Sequence, residues 1–196
     1  TQAVSAVQTA GTIGVPPMVT GVGMALIVFI VVFGGIKRIT QVTEKMVPIM
    51  ALLYIVGGLV IIVANITHLP GVIALIFKSA FTPVAASGGF AGSTVALALR
   101  WGAARGTYSN EAGMGTAPIA HATAETDHPV RQAFWGIFEI TVDTLMVCTI
   151  TALVVLITGM WESVPSAEAA SIPALAFGKM FGPAGGIVVT ISILLF

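Results

Sequence analysis

The sequence predicts an all-α membrane protein that crosses the bilayer several times. Apolar residues make up 57% of the 196 positions, charged residues make up 8%, and the mean hydropathy is +1.03. Soluble domains carry about 25% charged residues. A soluble fold of this composition would lack the charges that cover a water-exposed surface, so lipid is the expected solvent.

Four long apolar stretches and one interrupted stretch predict the membrane-spanning helices. The continuous stretches are residues 19–36, 46–67, 130–158 and 173–196, and the interrupted one is 70–105. Residues 46–67 carry no charge and would extend about 33 Å as a helix, which matches the hydrocarbon thickness. Because the chain begins without Met and stops inside an apolar run, we expect residues 1–196 to be one fragment of a longer transmembrane domain.

The basic residues predict which side of the membrane each connection faces. Two groups result when the Lys and Arg residues are assigned to alternating connections. One side receives Lys37, Arg38, Lys45, Arg100, Arg105 and Arg131; the other receives Lys78 and Lys179. The basic-rich side is expected to be cytoplasmic, since positive connections are retained there.

Residues 88–92, with the sequence Gly-Gly-Phe-Ala-Gly, lie within the interrupted stretch and follow Pro83. Three glycines in five positions weaken a helix, so we expect unwound backbone here. Inside a bilayer such backbone is tolerated where it lines a cavity, and its carbonyl and N–H groups can then bind a cation or a carboxylate. Close helix packing through small residues is the alternative, and we favour binding.

Asp143 and Glu139 stand four residues apart on one face of the predicted helix 130–158. Carboxylates at membrane depth are costly and usually face a polar interior, so Asp143 beside Thr144 is a candidate sodium site. The alternative is that these groups only hydrogen-bond neighbouring helices. Glu139 is nearer the helix end, and we expect it to pair with Arg131 or another basic group.

The polar segment 105–115 predicts a packed cytoplasmic turn in which Ser109-Asn110-Glu111 caps the next helix. A metal site at His121 and His128, or a hydrolase using Ser109, is not supported, because HExxH, GxSxG and Cys-pair motifs are absent from the sequence. The protein is therefore not expected to be an enzyme. The zero net charge argues against nucleic-acid binding.

Several motifs together resemble the alanine or glycine:cation symporter family. They are Gly34 to Ile39, Val47-Pro48, Met50 to Tyr54, Gly88 to Gly92, Arg105 to His121, His128 to Gln132, Asp143-Thr144 and Val147 to Thr149. The segment SNEAGMGTAPIAH, residues 109–121, is the most specific of them.

The resemblance implies a leucine-transporter-type helical bundle, built from inverted repeats and containing a discontinuous helix. In that fold the chain would extend from about the third to the eighth core helix. Substrate contacts are then expected from Gln2, Gly88, Gly89, Phe90 and Gly92, and sodium contacts from Asp143 and Thr144.

The resemblance also implies the activity: sodium-coupled symport of alanine, glycine or a similarly small neutral amino acid by alternating access. Sodium would be a co-transported ligand, and no cofactor is expected. The expected location is the plasma membrane of a bacterium or archaeon. The alternatives are a proton-coupled amino-acid or amine carrier of the same fold and, in a different class, a non-transporting membrane subunit or channel.

Overall fold

The computed structural model describes residues 2–81, 91–111 and 113–195, and every regular element in this part of the chain is helical. The α-helices are α1 Gln2–Gly11, α2 Pro17–Val32, α3 Gly35–Ala64, α4 Leu69–Phe81, α5 Ala91–Ser109, α6 Thr116–His121, α7 Pro129–Ile140, α8 Cys148–Thr158, α9 Met160–Ser163, α10 Ile172–Phe181 and α11 Pro183–Leu195. A π-helical segment, Thr141–Val147, joins α7 to α8, and a 3₁₀-helix, Ser166–Ser171, precedes α10. The all-α prediction is therefore confirmed for the described residues.

In the part of the chain that the structure describes, two helices are long and apolar enough to cross a membrane: Gly35–Ala64 and the continuous Pro129–Thr158. Only 17% and 11% of their most apolar windows are buried, whereas a core helix of a soluble protein would be mostly buried. Pro17–Val32, Leu69–Ser79 and Pro183–Ser192 are shorter apolar helices. Their exposed apolar side chains are those that lipid or other transmembrane helices cover.

Helix boundaries differ from the predicted spans at several places. α2 ends at Val32, before the predicted end of the first span at residue 36. α3 is continuous from Gly35 to Ala64, so Lys37, Arg38 and Lys45 extend the predicted span 46–67 as one helix instead of forming a separate link. The predicted span 173–196 is divided into α10 and α11. Gly182 takes a positive φ of 71°, which favours glycine, and the following Pro183 opens the next helix, where its missing N–H costs nothing.

The chain divides into two compact units. Unit 1 contains Thr1–Leu69 and Ile150–Phe196, and unit 2 contains Pro70–Thr149. The core of unit 1 is a cluster of seven buried residues: Ile61, Ile150, Val154, Ala174, Ala176, Phe177 and Val189.

Glycines allow the helices of unit 1 to approach closely. A Cβ added at Gly58 would lie 2.2 Å from Ile150 Cγ2, and one at Gly185 would lie 2.8 Å from the Phe177 carbonyl oxygen. Both distances are too short for a real side chain, so glycine is required at these crossings. This is the packing of small residues that brings membrane helices together.

Unit 2 is connected to a larger extent by polar side chains. Its helices are α4, α5, α6, α7 and the π segment, and the end of α5 contacts the π segment. The turn between α6 and α7 is ordered by His128, whose Nδ1 accepts a hydrogen bond from the Val130 N–H at 3.2 Å and so caps α7. These elements place the candidate site.

Candidate functional site

The π-helical segment Thr141–Val147 interrupts a helix that otherwise runs from Pro129 to Thr158. Its signature is the hydrogen bond from the Cys148 N–H to the Asp143 carbonyl, five residues back instead of four. π-Helical turns inside α-helices occur frequently at functional sites, because they widen the helix and change the direction of its side chains. Asp143 and Thr144, the predicted sodium ligands, both lie in this segment.

The Asp143 carboxylate is contacted by the last residue of α5. Ser109 Oγ donates a hydrogen bond to Asp143 Oδ2 at 2.8 Å, across a separation of 34 residues in the chain. Ser109 Oγ also lies 3.5 Å from Cys148 Sγ, on the first turn of α8. A charge-assisted hydrogen bond of this kind is stronger than one between neutral groups, so it fixes the end of α5 against the π segment.

Thr144 adds a second hydroxyl beside the carboxylate in sequence. Its Oγ1 is buried and has no hydrogen-bond partner within the described chain. A buried hydroxyl without a partner is uncommon and calls for an explanation such as an ion. We refer to Ser109, Asp143 and Thr144 as the Asp143 cluster.

The Asp143 cluster offers one carboxylate and two hydroxyl oxygens. Oxygen donors of this kind suit hard cations, whereas nitrogen and sulfur donors suit transition metals. Within residues 2–81, 91–111 and 113–195, no group of three or more His, Cys, Asp or Glu side chains is placed to hold a metal. The oxygen donors of the cluster are therefore of the type that hard cations prefer.

The predicted role of Ser109-Asn110-Glu111 as a cap on the next helix is wrong. Helix α6 begins after Gly115, which has a φ of 80°, and no side chain caps it. Ser109 instead ends α5 and contacts Asp143, while the Asn110 side-chain amide donates to the Gly106 carbonyl at 2.8 Å. Glu111 accepts a hydrogen bond from the Thr116 hydroxyl.

Glu139 has a basic partner, as expected, and that partner is His121. Glu139 Oε2 lies 3.3 Å from His121 Nε2, at the end of α6. Arg131 instead pairs with Asp127 at 3.1 Å, four residues earlier. The other nitrogen of the His121 ring, Nδ1, lies 2.6 Å from Gln132 Nε2.

The predicted substrate-binding residues are described only in part. Gly88, Gly89 and Phe90 lie outside the described residues, so unwound backbone at this point stays a prediction. Gly92 is in the first turn of α5, and Gln2 is the first residue of α1.

Sequence reasoning predicted Asp143 and Thr144 as sodium ligands, which stays a prediction, and it missed Ser109 as the hydrogen-bond partner of the Asp143 carboxylate. Local features assigned Ser109 to a helix cap, because Ser followed by Asn and Glu is typical of a helix start. No periodicity joins positions 109 and 143. The sequence related Ser109 to Asp143 only through the motifs that contain them, which resemble the same family.

A family model described as the sodium:alanine symporter family matches residues 1–196. The chain belongs to this family. The resemblance found in the motifs is therefore confirmed over the whole chain, and this family consists of membrane transporters, in agreement with the long apolar helices.

Relatives of this family member include proteins from bacteria and archaea. It is 48% identical over 191 residues to the uncharacterized transporter YflA of Bacillus subtilis. The matched region covers 97% of this chain and 41% of the relative. It is 43% identical over 189 residues to the sodium/alanine symporter AgcS of Methanococcus maripaludis, covering 95% and 41%. It is 47% identical over 133 residues to the probable sodium/glutamine symporter GlnT of Bacillus subtilis, covering 68% and 27%. The chain thus spans about two fifths of the length of the first two relatives.

Proposed function

We propose that the full-length protein containing this chain is a sodium-coupled symporter of a small neutral amino acid, alanine or glycine, in the plasma membrane of a bacterium or archaeon. The observation that supports this proposal best is the Asp143 cluster. It places the Asp143 carboxylate and the unpartnered Thr144 hydroxyl on a helix long enough to cross the membrane, and it adds the Ser109 hydroxyl from the end of α5. The name of the family that the chain belongs to includes both sodium and alanine.

Sodium would bind at Asp143 and Thr144, with Ser109 as a third oxygen ligand. When the ion is absent, the Ser109 hydroxyl donates a hydrogen bond to the Asp143 carboxylate. When an ion occupies the site, rotation of that hydroxyl turns the oxygen lone pairs toward the cation. The carboxylate thus retains a partner in both states, which lowers the cost of holding it inside the membrane.

The amino acid would bind near the glycines of the predicted broken helix. We assign Gly88, Gly89, Phe90 and Gly92 to this site, with Gln2 as a further polar contact; unwound backbone would receive the ammonium and carboxylate groups. α5 extends from Ala91 to Ser109, so it links the assigned substrate site to the Asp143 cluster. Sodium occupancy and substrate affinity would then be coupled through one helix, each ligand raising the affinity of the other by the same factor.

The transport reaction needs no covalent chemistry, so we do not assign catalytic residues or a cofactor. The fold is proposed to be the inverted-repeat bundle of the leucine-transporter type, with the basic connections in the cytoplasm. The names of two relatives include alanine and glutamine respectively, so competition between small and larger amino acids tests the proposed size of the substrate side chain.

Uptake of radiolabelled alanine into proteoliposomes containing the full-length protein tests the proposal. Uptake should be concentrative with an inward sodium gradient and should be lost when choline replaces sodium. Excess unlabelled glycine should compete, whereas glutamine should compete weakly. Equal uptake in both salts would contradict sodium coupling, and the absence of concentrative uptake would indicate a channel or a non-transporting subunit.

A proton-coupled carrier is the second candidate. Two relatives bear names that include proton dependence: the putative sodium/proton-dependent alanine carrier protein YrbD of Bacillus subtilis, and a carrier of Bacillus sp. strain PS3. An inward proton gradient imposed without sodium separates the two candidates. Concentrative alanine uptake under that gradient would favour proton coupling.

Two further measurements locate the sites. Gly89→Val should abolish uptake while the protein still inserts into the membrane, because a β-branched side chain disfavours the backbone conformations that an unwound glycine adopts. Sodium should slow alkylation of Cys148, whose sulfur is 3.5 Å from the Ser109 hydroxyl, as followed by mass spectrometry of the peptide. Alkylation at the same rate in sodium and choline would contradict the assigned ion site.

A further inference from the structure

His121 is held at both ring nitrogens by two residues of the next helix. Its Nδ1 lies 2.6 Å from Gln132 Nε2 and its Nε2 lies 3.3 Å from Glu139 Oε2. Gln132 and Glu139 are seven positions apart, which places them on one face of α7, two turns from each other. We refer to His121, Gln132 and Glu139 as the His121 clamp.

The clamp forms a complete hydrogen-bonded chain when the histidine is neutral. The Gln132 amide N–H donates to Nδ1, so the ring proton resides on Nε2 and is donated to the Glu139 carboxylate. The three side chains then carry a net charge of about −1. The His121 side chain is 27% exposed and the Glu139 side chain is 64% exposed, so the clamp can exchange protons with its surroundings.

The same three residues can also hold one additional proton. Both ring nitrogens of a protonated histidine are donors, and a glutamine accepts through its amide oxygen once the amide group rotates by half a turn. Nε2 continues to donate to Glu139, and this contact becomes an ion pair. No hydrogen bond is lost, and the net charge of the clamp changes from about −1 to about 0.

Glu139 is the charged residue of the clamp on the long apolar helix. Glu139 is ten residues beyond Pro129 in the helix Pro129–Thr158, about 15 Å from its start at 1.5 Å per residue. A carboxylate on an apolar helix is costly where lipid surrounds it, and pairing with a protonated histidine cancels its charge. We propose that the His121 clamp is a proton-binding site that holds α6 against α7 more tightly when the proton is bound.

Other charged or titratable groups near the clamp form contacts of their own or lie in an exposed segment. Asp127 and Arg131 form a separate, largely exposed ion pair with each other. His128 caps α7, and Glu125 lies in the exposed segment between the two helices. Glu139 is the charged side chain in contact with the ring, so it should control the response to pH.

Hydrogen exchange in the full-length protein tests the proposal through the amides of residues 122–128, which connect the two helices. After correction for intrinsic rates, exchange should be about fivefold slower at about pH 5.5 than at about pH 8, because an ion pair replaces a weaker hydrogen bond. Glu139→Gln should remove this difference, since the amide still accepts from Nε2 but forms no ion pair. Asp127→Asn is the matched control and should leave the difference intact.

Nitrogen-15 spectra of labelled histidine supply a second measurement that a purely structural contact would not change. Nδ1 of His121 should be an unprotonated acceptor at about pH 8 and protonated at about pH 5.5. A ring that keeps one protonation state across this range would overturn the proposal. So would a pH-dependent exchange that survives in Glu139→Gln. Neither measurement depends on which ion drives uptake.

Discussion

Units 1 and 2 differ in the kind of contact that connects their helices. In unit 1, glycines and a cluster of seven buried apolar residues bring the helices together, and Phe177 stacks on Tyr54 with ring centroids 5.2 Å apart. In unit 2, side chains with charge or hydrogen-bonding capacity connect the elements, and both ion pairs found among the described residues lie there. Close packing of small residues gives a membrane protein stability, whereas polar groups at membrane depth are costly and usually serve function. The difference teaches that apolar packing connects the helices of unit 1 and polar contacts connect those of unit 2, and unit 2 is where we propose that sodium binds.

Asp143→Asn is the change with the largest expected effect, and it tests the assignment of ion binding to unit 2. Replacing the only charged ligand of the proposed site should raise the sodium concentration for half-maximal uptake by about 100-fold, the loss expected for an uncompensated charge. Sodium titration of alanine uptake measures this. Asp127→Asn, in an exposed pair of the same unit, is the control and should leave the titration unchanged. A normal sodium dependence in Asp143→Asn would remove the ion site from unit 2.

Gly58→Ala tests whether unit 1 depends on close packing. The added Cβ would lie 2.2 Å from Ile150 Cγ2, and Ile150 is only 6% exposed, so the cost should be about 2 kcal/mol. Thermal unfolding in detergent measures the loss. Gly21→Ala in α2 is the control, because no atom lies within 4 Å of its added Cβ. If the two variants unfold at the same temperature, the close crossing of α3 and α8 is not a source of stability.

Ser109→Ala sharpens the comparison, because it changes a neutral partner of the Asp143 carboxylate. Loss of one hydrogen bond to a charged group should raise the half-saturating sodium concentration by about tenfold, without reducing the amount of folded protein. Ser109→Thr retains the hydroxyl and should recover part of the affinity. The control is Ser163→Ala, which removes a hydroxyl of unit 1 that donates a hydrogen bond to the Met160 carbonyl at 3.2 Å. A tenfold effect in the control as well would show that the response is not specific to the Asp143 cluster.

Tyr54→Phe has the smallest expected effect and tests a polar contact within the apolar unit. Tyr54 Oη lies 2.6 Å from Thr151 Oγ1, and removing this hydrogen bond should cost about 1 kcal/mol of stability. The sodium titration should not change, because the contact belongs to unit 1. Thermal stability and the sodium titration of alanine uptake are both measured on the same preparation of Tyr54→Phe. A shifted sodium titration with unchanged thermal stability would contradict the division of roles between the units.

Much of the fold follows from local sequence. The apolar stretches near residues 19–36, 46–67 and 130–158 predict helices because a bilayer requires every backbone group to be bonded within its own segment. Two features escaped this reasoning. The positive φ at Gly182 divides the last predicted span, and the π segment Thr141–Val147 lies inside an uninterrupted apolar helix. Hydropathy measures burial in lipid and does not distinguish helix types that share the same composition.

The candidate site, like the fold, could be predicted from the sequence only in part. A carboxylate within an apolar helix is unusual enough that Asp143 was predicted as a site from sequence, with Thr144 beside it. The glycines at 88–92 were predicted as a substrate site and lie outside the described residues, except for Gly92. The partner of Glu139 was predicted only as a basic group. His121 satisfies that prediction, whereas Arg131 bonds to Asp127.

The sequence by itself determined that the described chain is helical and strongly apolar and which family it belongs to, because composition, spacing and motifs are properties of neighbouring residues. Only the tertiary structure decided that Ser109 meets Asp143 and that His121 meets both Gln132 and Glu139. Hydrogen bonds and ion pairs act over about 3 Å, so they depend on where separate helices come together. That position is set by packing across the whole unit and by no single stretch of the chain.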